Sequence, residues 1–354
     1  MALAEVQEDN GTDCNRSLEE FKPLVLVTST IHSVTFILCI VAIVSLVFCR
    51  LFTLPTHRLI LYLLVAILFN SFTIAVQFPN VELKIFEGEH ATVCSIEGFL
   101  FGYSYWVLLL SLSMMTVHLS VMVLFPSYYN RVIKKLEAFY VLFPWLCPLL
   151  FAWIPFINDN FGFNLPLCWI KLYDDTDCSL NEEGLIMMLS IWYIEWFVVL
   201  IASDIALVII FITMCKRAYK GTLSKDYRKA LKQTLLLLVY PIEFQIFFWI
   251  VIANRLYQVL HKGNGLTWLL YVHAVIAGSG GLIASTFTLL YIFLLKKKNI
   301  QCFECCKMRV IKHETTADLL IDPADRITLY GTTVTSPTRT DLPNETEIER
   351  EYEL

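Results

Sequence analysis

Four acidic residues lie within otherwise apolar stretches of this 354-residue sequence: Glu97, Glu195, Asp204 and Glu243. His32, His118 and His273 occupy similar stretches. Ionisable groups in such surroundings usually face a helix-bundle interior or a water-filled cavity, where they mark a ligand site or an ion path. Alternatively, protonated carboxyls simply bond across helices, and Glu243 repairs the helix break that Pro241 makes two residues earlier. The sequence leaves both interpretations open.

Aromatic residues accompany these acids, and Trp196 and Tyr271 add to them at similar depths. Lys and Arg are absent from the same stretches, so the fixed charge of a cavity there is negative or neutral, apart from histidine. Electron-rich aromatic faces attract cations. We therefore predict a cavity for a small ligand that is cationic or neutral. Its expected ligand-binding residues are Glu97, Tyr103, Trp106, Trp192, Glu195, Glu243 and His273.

Motifs for catalysis are missing from the sequence. It contains no Gly-x-Ser-x-Gly nucleophile elbow, no His-Glu-x-x-His pair and no compact His/Cys cluster at zinc spacing. We therefore expect no enzymatic activity, no catalytic residues, no metal site and no cofactor. We also expect no nucleic-acid partner.

The composition of the chain predicts the secondary-structure elements that position these residues. Hydrophobic residues make up 57% of the chain and charged residues 17%, against about 45–50% and 25% in soluble domains. A membrane-spanning helix needs roughly 20 apolar residues. Seven runs qualify: Leu24–Cys49, Leu59–Phe78, Cys94–Phe125, Glu137–Ile157, Leu185–Cys215, Thr234–Ala253 and Trp268–Leu295. The predicted fold is an all-α bundle of seven transmembrane helices.

The distribution of basic residues predicts the topology. All 27 Lys and Arg residues fall outside the seven runs. The segments 50–58, 126–136, 216–233 and 296–312 carry 18 of them, the segments 1–23, 79–93, 158–184 and 254–267 carry 6, and the tail 313–354 carries 3. Because positive charge is retained inside, we expect the N-terminus outside and the C-terminus in the cytoplasm. The predicted organisation is an outer tail (1–23), the helical domain (24–295), an amphipathic juxtamembrane segment (296–312) and a disordered cytoplasmic tail (313–354).

The predicted outer tail carries two glycosylation sequons, at Asn10 and Asn15. It has no basic region followed by an apolar run, so we expect no cleavable signal peptide. The first apolar run then acts as both signal and anchor.

Four cysteines, Cys14, Cys94, Cys168 and Cys178, lie in predicted outer regions. They allow three pairings, and the sequence alone does not choose among them. We favour Cys94 with Cys168, because this bridge pins the long loop before the fifth helix over the bundle in the oxidising exterior. Cys14 then pairs with Cys178, or Cys178 stays free.

Seven helices with an outer N-terminus, Cys94 at the third helix and Cys168 in the second outer loop resemble the G-protein-coupled receptors over about residues 24–312. Cys168-Trp169-Ile170 resembles the Cys-Trp-Ile of the cyclic-AMP-receptor-like group, which is related to secretin-like receptors. His273 followed by the glycine-rich run 278–281 is also similar to that group. The resemblance implies an extracellular ligand and a heterotrimeric G-protein partner.

The sequence lacks several motifs of other receptor groups. The third helix lacks Asp-Arg-Tyr and the seventh lacks Asn-Pro-x-x-Tyr. The seventh helix also has no lysine, which excludes a retinal Schiff base there. A cyclic nucleotide is a poor fit, since its phosphate requires cationic donors that no span supplies.

The predicted cytoplasmic segments carry features of membrane attachment and regulation. Cys302, Cys305 and Cys306 follow the lysine cluster 296–298, and juxtamembrane cysteines of this kind are often palmitoylated beside anionic lipid. The alternative, a metal site, lacks further ligands at zinc spacing. Threonines and a serine in 332–338 are candidate phosphorylation sites for an arrestin-type partner.

From these features we expect a G-protein-coupled receptor in the plasma membrane that passes an extracellular signal to a G protein. The alternative is a seven-helix proton or cation transporter or channel, in which the intramembrane acids line the path.

Overall fold

The computed structural model describes residues 18–53, 55–82, 91–164, 167–172, 181–219, 225–260 and 267–318. Within this part of the chain, seven helices are long and apolar enough to cross a membrane. They are α1 (Leu18–Phe48), α2 (Pro55–Glu82), α3 (Ala91–Leu124), α4 (Pro126–Leu146), α5 (the consecutive segments Glu182–Met187, Met188–Ile194 and Glu195–Tyr219), α6 (Lys225–Leu260) and α7 (Thr267–Asp318). The chain is therefore a multi-pass, seven-helix membrane protein, as predicted.

Several predictions concern residues outside the described ranges. The sequons at Asn10 and Asn15 and the cysteines Cys14 and Cys178 are among them. The backbone of 296–312 is helical within α7, but the side chains of Cys302, Cys305 and Cys306 are not described. Of the tail 313–354, the structure describes only the helical residues 313–318.

The apolar runs form helices because they must be stable in the hydrocarbon of a membrane. Hydrocarbon offers no hydrogen bonds, so each backbone N–H and C=O must find its partner within the segment. The surfaces of the helices differ accordingly. The exposed face of α5 is an apolar stripe at helical spacing, as expected of a face that meets lipid: Ile194, Val198, Ile201, Ile205, Val208 and Ile212.

Helix α3 forms the centre of the bundle. It contacts α2, α4, α5 and α6. Sixty-one per cent of its most apolar window is buried, compared with 17% for α5. A helix surrounded by neighbours can present different side chains to each of them, so α3 is the element on which an internal site is built.

Helix α7 approaches its neighbours through small residues. A Cβ atom added at Gly281 would lie 2.8 Å from side-chain carbons of both Thr35 in α1 and Ile67 in α2. One added at Gly278 would lie 2.7 Å from a side-chain carbon of Ile31. Glycine is therefore required at both positions for close helix contact, which is how helices commonly associate in membranes.

A two-stranded hairpin between α4 and α5 was not part of the sequence prediction. Strand β1 (Phe161–Asn164) pairs antiparallel with β2 (Leu167–Ile170). A disulfide joins Cys94 at the start of α3 to Cys168 in β2, which is the pairing favoured from the sequence. We call the end of the bundle at which this hairpin packs on α3 the hairpin end.

Further contacts seat the hairpin on the helices. The Ser95 hydroxyl donates to the Phe161 carbonyl at 3.2 Å, and the Cys168 N–H donates to Gln77 Oε1 of α2 at the same distance. A Cβ at Gly98 would meet the Trp169 backbone at 3.3 Å. The hairpin therefore lies flat against α3 and brings Trp169 to the bundle.

Candidate ligand site

An aromatic cavity lies between the hairpin and helices α3, α5, α6 and α7. It encloses about 40 Å³ of space for the centre of a water-sized sphere, and about 400 Å³ when the open space at its mouth is counted. Six of its eight lining residues are Phe, Tyr or Trp, and the full lining is Phe101, Tyr105, Trp169, Trp192, Tyr193, Trp196, Val251 and His273. We call this space the aromatic cavity.

Helix α3 supplies the wall through residues one turn apart. Phe101 and Tyr105 are four positions apart and therefore share a face. The Phe101 ring meets Trp169 edge-on, with 6.1 Å between ring centroids. Tyr105 stacks on Trp196 at 5.5 Å. One stripe of α3 thus contacts both the hairpin and α5.

A π-helical segment in α5, Met188–Ile194, sets the position of Trp192. Each π turn takes in more residues than an α turn, so it rotates the following side chains relative to a regular helix, and such segments are frequent at functional sites. The Trp192 indole lies directly over Gly102, where an added Cβ would be 2.6 Å from its Cζ2 atom. The π segment and the glycine together place this large ring inside the bundle.

Three tryptophans meet at this point. The Trp192 ring is 5.5 Å from Trp169 with an interplanar angle of 83°, and 5.7 Å from Trp196 with an angle of 65°. Trp192 and Trp196 are only 3% and 5% exposed. Rings at steep mutual angles form adjacent walls, so the cavity presents several aromatic faces at once.

The polar contribution to the cavity comes from His273 on α7. Its Nδ1 atom is 2.8 Å from Nδ2 of Asn254, a fully buried residue on α6. When the amide donates, Nδ1 accepts, and the imidazole orientation is fixed by a neighbour on another helix. None of the described lining residues is Asp, Glu, Lys or Arg.

Two of the seven residues predicted from the sequence, Trp192 and His273, line the cavity. Trp106 is buried behind it and packs against Trp192 and Trp196, with centroid distances of 5.9 and 6.2 Å. Tyr103 faces the opposite side of α3, where its hydroxyl donates to the Trp145 carbonyl of α4 at 2.8 Å.

The three predicted acids are placed differently. Glu97 is half-buried on α3, one turn before Phe101 toward the hairpin end, and shares its face by helical spacing. Glu195 is exposed on the surface of α5. Glu243 lies on α6 outside the cavity lining, and both of its carboxylate oxygens are buried without a hydrogen-bond partner among the described residues.

The lining residues that were not predicted are Phe101, Tyr105, Trp169, Tyr193 and Val251, together with Trp196, which was noted only as aromatic surface. Spacing could have identified two pairs, since 101 with 105 and 192 with 196 are one helical turn apart. No sequence signal marks Trp169 as a cavity residue, because only the hairpin geometry brings it there.

Two smaller cavities lie beside the aromatic cavity along α3. The first encloses about 20 Å³ and shares Tyr105 and Val251 with the aromatic cavity. The second encloses about 10 Å³, shares Phe244 and Phe248 with the first, and is lined also by Pro241. Neighbouring cavities therefore share lining residues of α3 and α6, from the aromatic cavity to the proline of α6.

Side-chain contacts join the helices at the end opposite the hairpin. The Arg217 guanidinium at the end of α5 donates to the Val123 carbonyl near the end of α3 at 2.7 Å. On α4, Glu137 forms an ion pair with Arg58 of α2, with 2.6 Å between Oε1 and Nε, and accepts a hydrogen bond from the Tyr62 hydroxyl of α2 at 2.9 Å. These contacts join α5 to α3 and α4 to α2 at this end.

Helix α7 is joined to its neighbours in the same half of the bundle. His57 Nε2 of α2 lies 3.1 Å from the Tyr291 hydroxyl. The Tyr240 hydroxyl of α6 lies 2.8 Å from Thr288 Oγ1, and both of these residues are fully buried. Both contacts cross between helices, so any separation of the helices here must break them.

Comparison with known proteins gives no family for this chain. No family model matches it, and no curated protein shows significant similarity to it. Its function is therefore argued from its fold and from the aromatic cavity.

Proposed function

We propose that this protein is a G-protein-coupled receptor that binds a small organic ligand in the aromatic cavity. Its N-terminus is outside the cell and its C-terminus is in the cytoplasm, in accordance with the positive-inside distribution of Lys and Arg. The plasma membrane is its site of action, and a heterotrimeric G protein is its cytoplasmic partner.

One observation carries this proposal. An aromatic cavity opens beneath a disulfide-anchored hairpin at one end of a seven-helix bundle, while helix-to-helix bonds hold the other end together. A cavity at one end and breakable contacts at the other are the two parts that a transmembrane receptor needs. The motif-level resemblance at Cys168-Trp169-Ile170 and His273 points in the same direction.

The mechanism is a shift between two helix packings. The cavity is lined by α3, α5, α6 and α7, so a ligand can favour one arrangement of these helices only by contacting it better than the other. Helix α6 contains Pro241, which removes one backbone hydrogen bond and makes this helix easier to bend. Opening of the Arg217 end then exposes a groove for an amphipathic helix of the G protein.

Arg217 allows a test without a known ligand. Replacement of Arg217 by Gln removes its charge-assisted bond to Val123, and we expect higher basal nucleotide exchange on at least one G-protein subtype. Lys216→Gln is the matched control, because it removes the same charge from the adjacent, exposed position. The assay is G-protein activation in cells expressing the full chain, across a panel of subtypes.

A panel that stays silent for both wild type and Arg217→Gln, with surface expression confirmed, would contradict the receptor proposal. Equal increases in the Lys216→Gln and Arg217→Gln variants would instead show that charge, and not the α3–α5 contact, controls coupling.

The remaining parts of the proposal concern the terminal segments. Asn10 and Asn15 are glycosylated, Cys302, Cys305 and Cys306 are palmitoylated, and the phosphorylated tail recruits an arrestin-type protein. Removal of N-linked glycans and hydroxylamine treatment, followed by mass measurement of the full chain, test the two modifications directly.

A proton or cation transporter is the second candidate, and Glu243 is the observation that favours it. A buried carboxyl without a described hydrogen-bond partner is typical of proton relays in membranes. The phenylalanines Phe244 and Phe248 between the two smaller cavities argue against an open ion path, since apolar constrictions exclude water. Proton flux into liposomes that disappears in Glu243→Gln would favour this candidate over the receptor.

A further inference from the structure

We propose that the aromatic cavity recognises a quaternary ammonium group. This assignment names the ligand class of the proposed receptor and rests on that function for its biological role, although binding itself can be measured without a G protein.

The arrangement of rings supports a cation over a flat aromatic ligand. Trp192 stands at 83° to Trp169 and at 65° to Trp196, and Tyr105 and Tyr193 also line the cavity. Tryptophan and tyrosine have the most electron-rich faces among the side chains. A compact cation inside such a box meets several of these faces at once, whereas a flat ring can stack on only one or two.

The charges around the cavity also favour a cation. The described lining contains no Lys or Arg. The nearest acid in the sequence of α3 is Glu97, one turn from Phe101 on the same helical face and toward the hairpin end. A carboxylate near this end attracts cations toward the cavity, and the described lining carries no Lys or Arg to repel them.

Hydrogen-bonding capacity distinguishes a quaternary from a primary ammonium. A primary ammonium has three N–H donors that need acceptors once water is removed. The lining provides few acceptors, since five of its residues are Phe, Val or Trp and the others offer only tyrosine hydroxyls and one imidazole. A quaternary group has no N–H donors, and its methyl groups gain from burial against apolar rings.

The test compares choline with 3,3-dimethylbutanol, which has the same shape but carries carbon in place of the charged nitrogen. The full chain is purified into nanodiscs, and binding is followed through intrinsic tryptophan fluorescence, since three tryptophans line the cavity. Sodium chloride at matched concentration controls for ionic strength. We expect choline to bind at least about tenfold more tightly than the alcohol, because only the cation gains from the aromatic faces.

Equal binding of both compounds, tighter binding of the alcohol, or binding of neither would overturn the proposal. The first two outcomes would identify the cavity as a site for neutral apolar ligands. This comparison uses the wild-type chain, so it stands even where a cavity variant fails to fold.

Substitution of Trp196 separates the cation effect from packing. Trp196→Leu removes one aromatic face, and we expect it to weaken choline binding about tenfold while the alcohol changes by no more than about threefold. Trp249→Phe is the control, because Trp249 is outside the cavity lining and donates to Asp204 at 3.0 Å. Equal weakening of both compounds in Trp196→Leu would show a structural role only and contradict the proposal.

The two proposals fail in different ways. A chain that binds choline but activates no G protein keeps the ligand assignment and loses the receptor function. A chain that activates a G protein but does not prefer choline over the alcohol keeps the receptor function and loses the ligand assignment.

Discussion

Replacement of Gly102 by Ala tests how the aromatic cavity is built. The added Cβ would lie 2.6 Å from Cζ2 and 2.9 Å from Cη2 of Trp192. Carbon atoms pack at about 3.5–4.0 Å, so the indole must retreat by about 1 Å. Trp192 is 3% exposed and packs against Trp106, Trp169 and Trp196, which leaves little room for that movement.

Two opposing terms decide the sign of the effect. Alanine in place of glycine within a helix normally stabilises by about 1 kcal/mol. Overpacking of a tight core costs about 1–3 kcal/mol. We therefore expect Gly102→Ala to lower thermal stability, by up to about 2 kcal/mol once the helix gain is subtracted, and to reduce ligand binding in the cavity.

A double-mutant cycle with Trp192→Phe isolates the contact. Phenylalanine is shorter and lacks the two indole carbons that the new Cβ would meet, so Gly102→Ala should become neutral or stabilising in that background. The expected coupling energy is about 1–3 kcal/mol. Thermal unfolding of all four purified proteins in one detergent provides the measurement. An equal loss in both backgrounds, or a gain in the wild-type background, would refute the reasoning.

Three further changes test other parts of the structure by thermal unfolding. Cys94→Ser opens the disulfide, which spans 74 residues; loop-closure entropy gives a loss of up to about 4–5 kcal/mol, and Cys49→Ser, at a free cysteine, should show little change. Tyr240→Phe removes the buried bond to Thr288 and should cost about 1 kcal/mol; no loss would mean that water replaces the hydroxyl. Gly281→Ala should destabilise despite its higher helix propensity, because the Cβ would meet α1 and α2; higher stability would show that α7 can move away.

The seven spans could be predicted because they depend on local properties. Hydrocarbon thickness sets a minimum apolar length, and the cost of burying Lys or Arg excludes them from each run. The structure has a candidate spanning helix in each predicted region. The Cys94–Cys168 bridge was favoured because it pins the loop that contains Cys168 to the start of the third helix, and the structure has this bridge.

The cavity lining was only partly predictable. Tyr103 and Tyr105 are two residues apart and have the same chemistry, yet one bonds to α4 and the other lines the cavity. An apolar helix within a bundle has few polar positions to indicate which face meets which neighbour. Residue type and depth therefore do not indicate which side of α3 each tyrosine faces.

The inward face of α5 was also hard to predict from the sequence, but for a different reason. Prediction of its inward face assumes 3.6 residues per turn, but Met188–Ile194 is π-helical and changes the relation between sequence position and direction. Trp192 and Trp196 line the cavity, while Glu195, between them in sequence, is exposed. The sequence carries no marker for the π segment.

The sequence by itself determined that the chain crosses the membrane seven times and that aromatic and acidic residues enter the apolar region. These properties depend on the transfer of each segment from water to lipid, which is set segment by segment. Only the tertiary structure decided which of those residues share a cavity. That outcome depends on contacts between segments distant in sequence, such as Trp169 of the hairpin against Trp192 of α5, and on a glycine in α3 that leaves room for them.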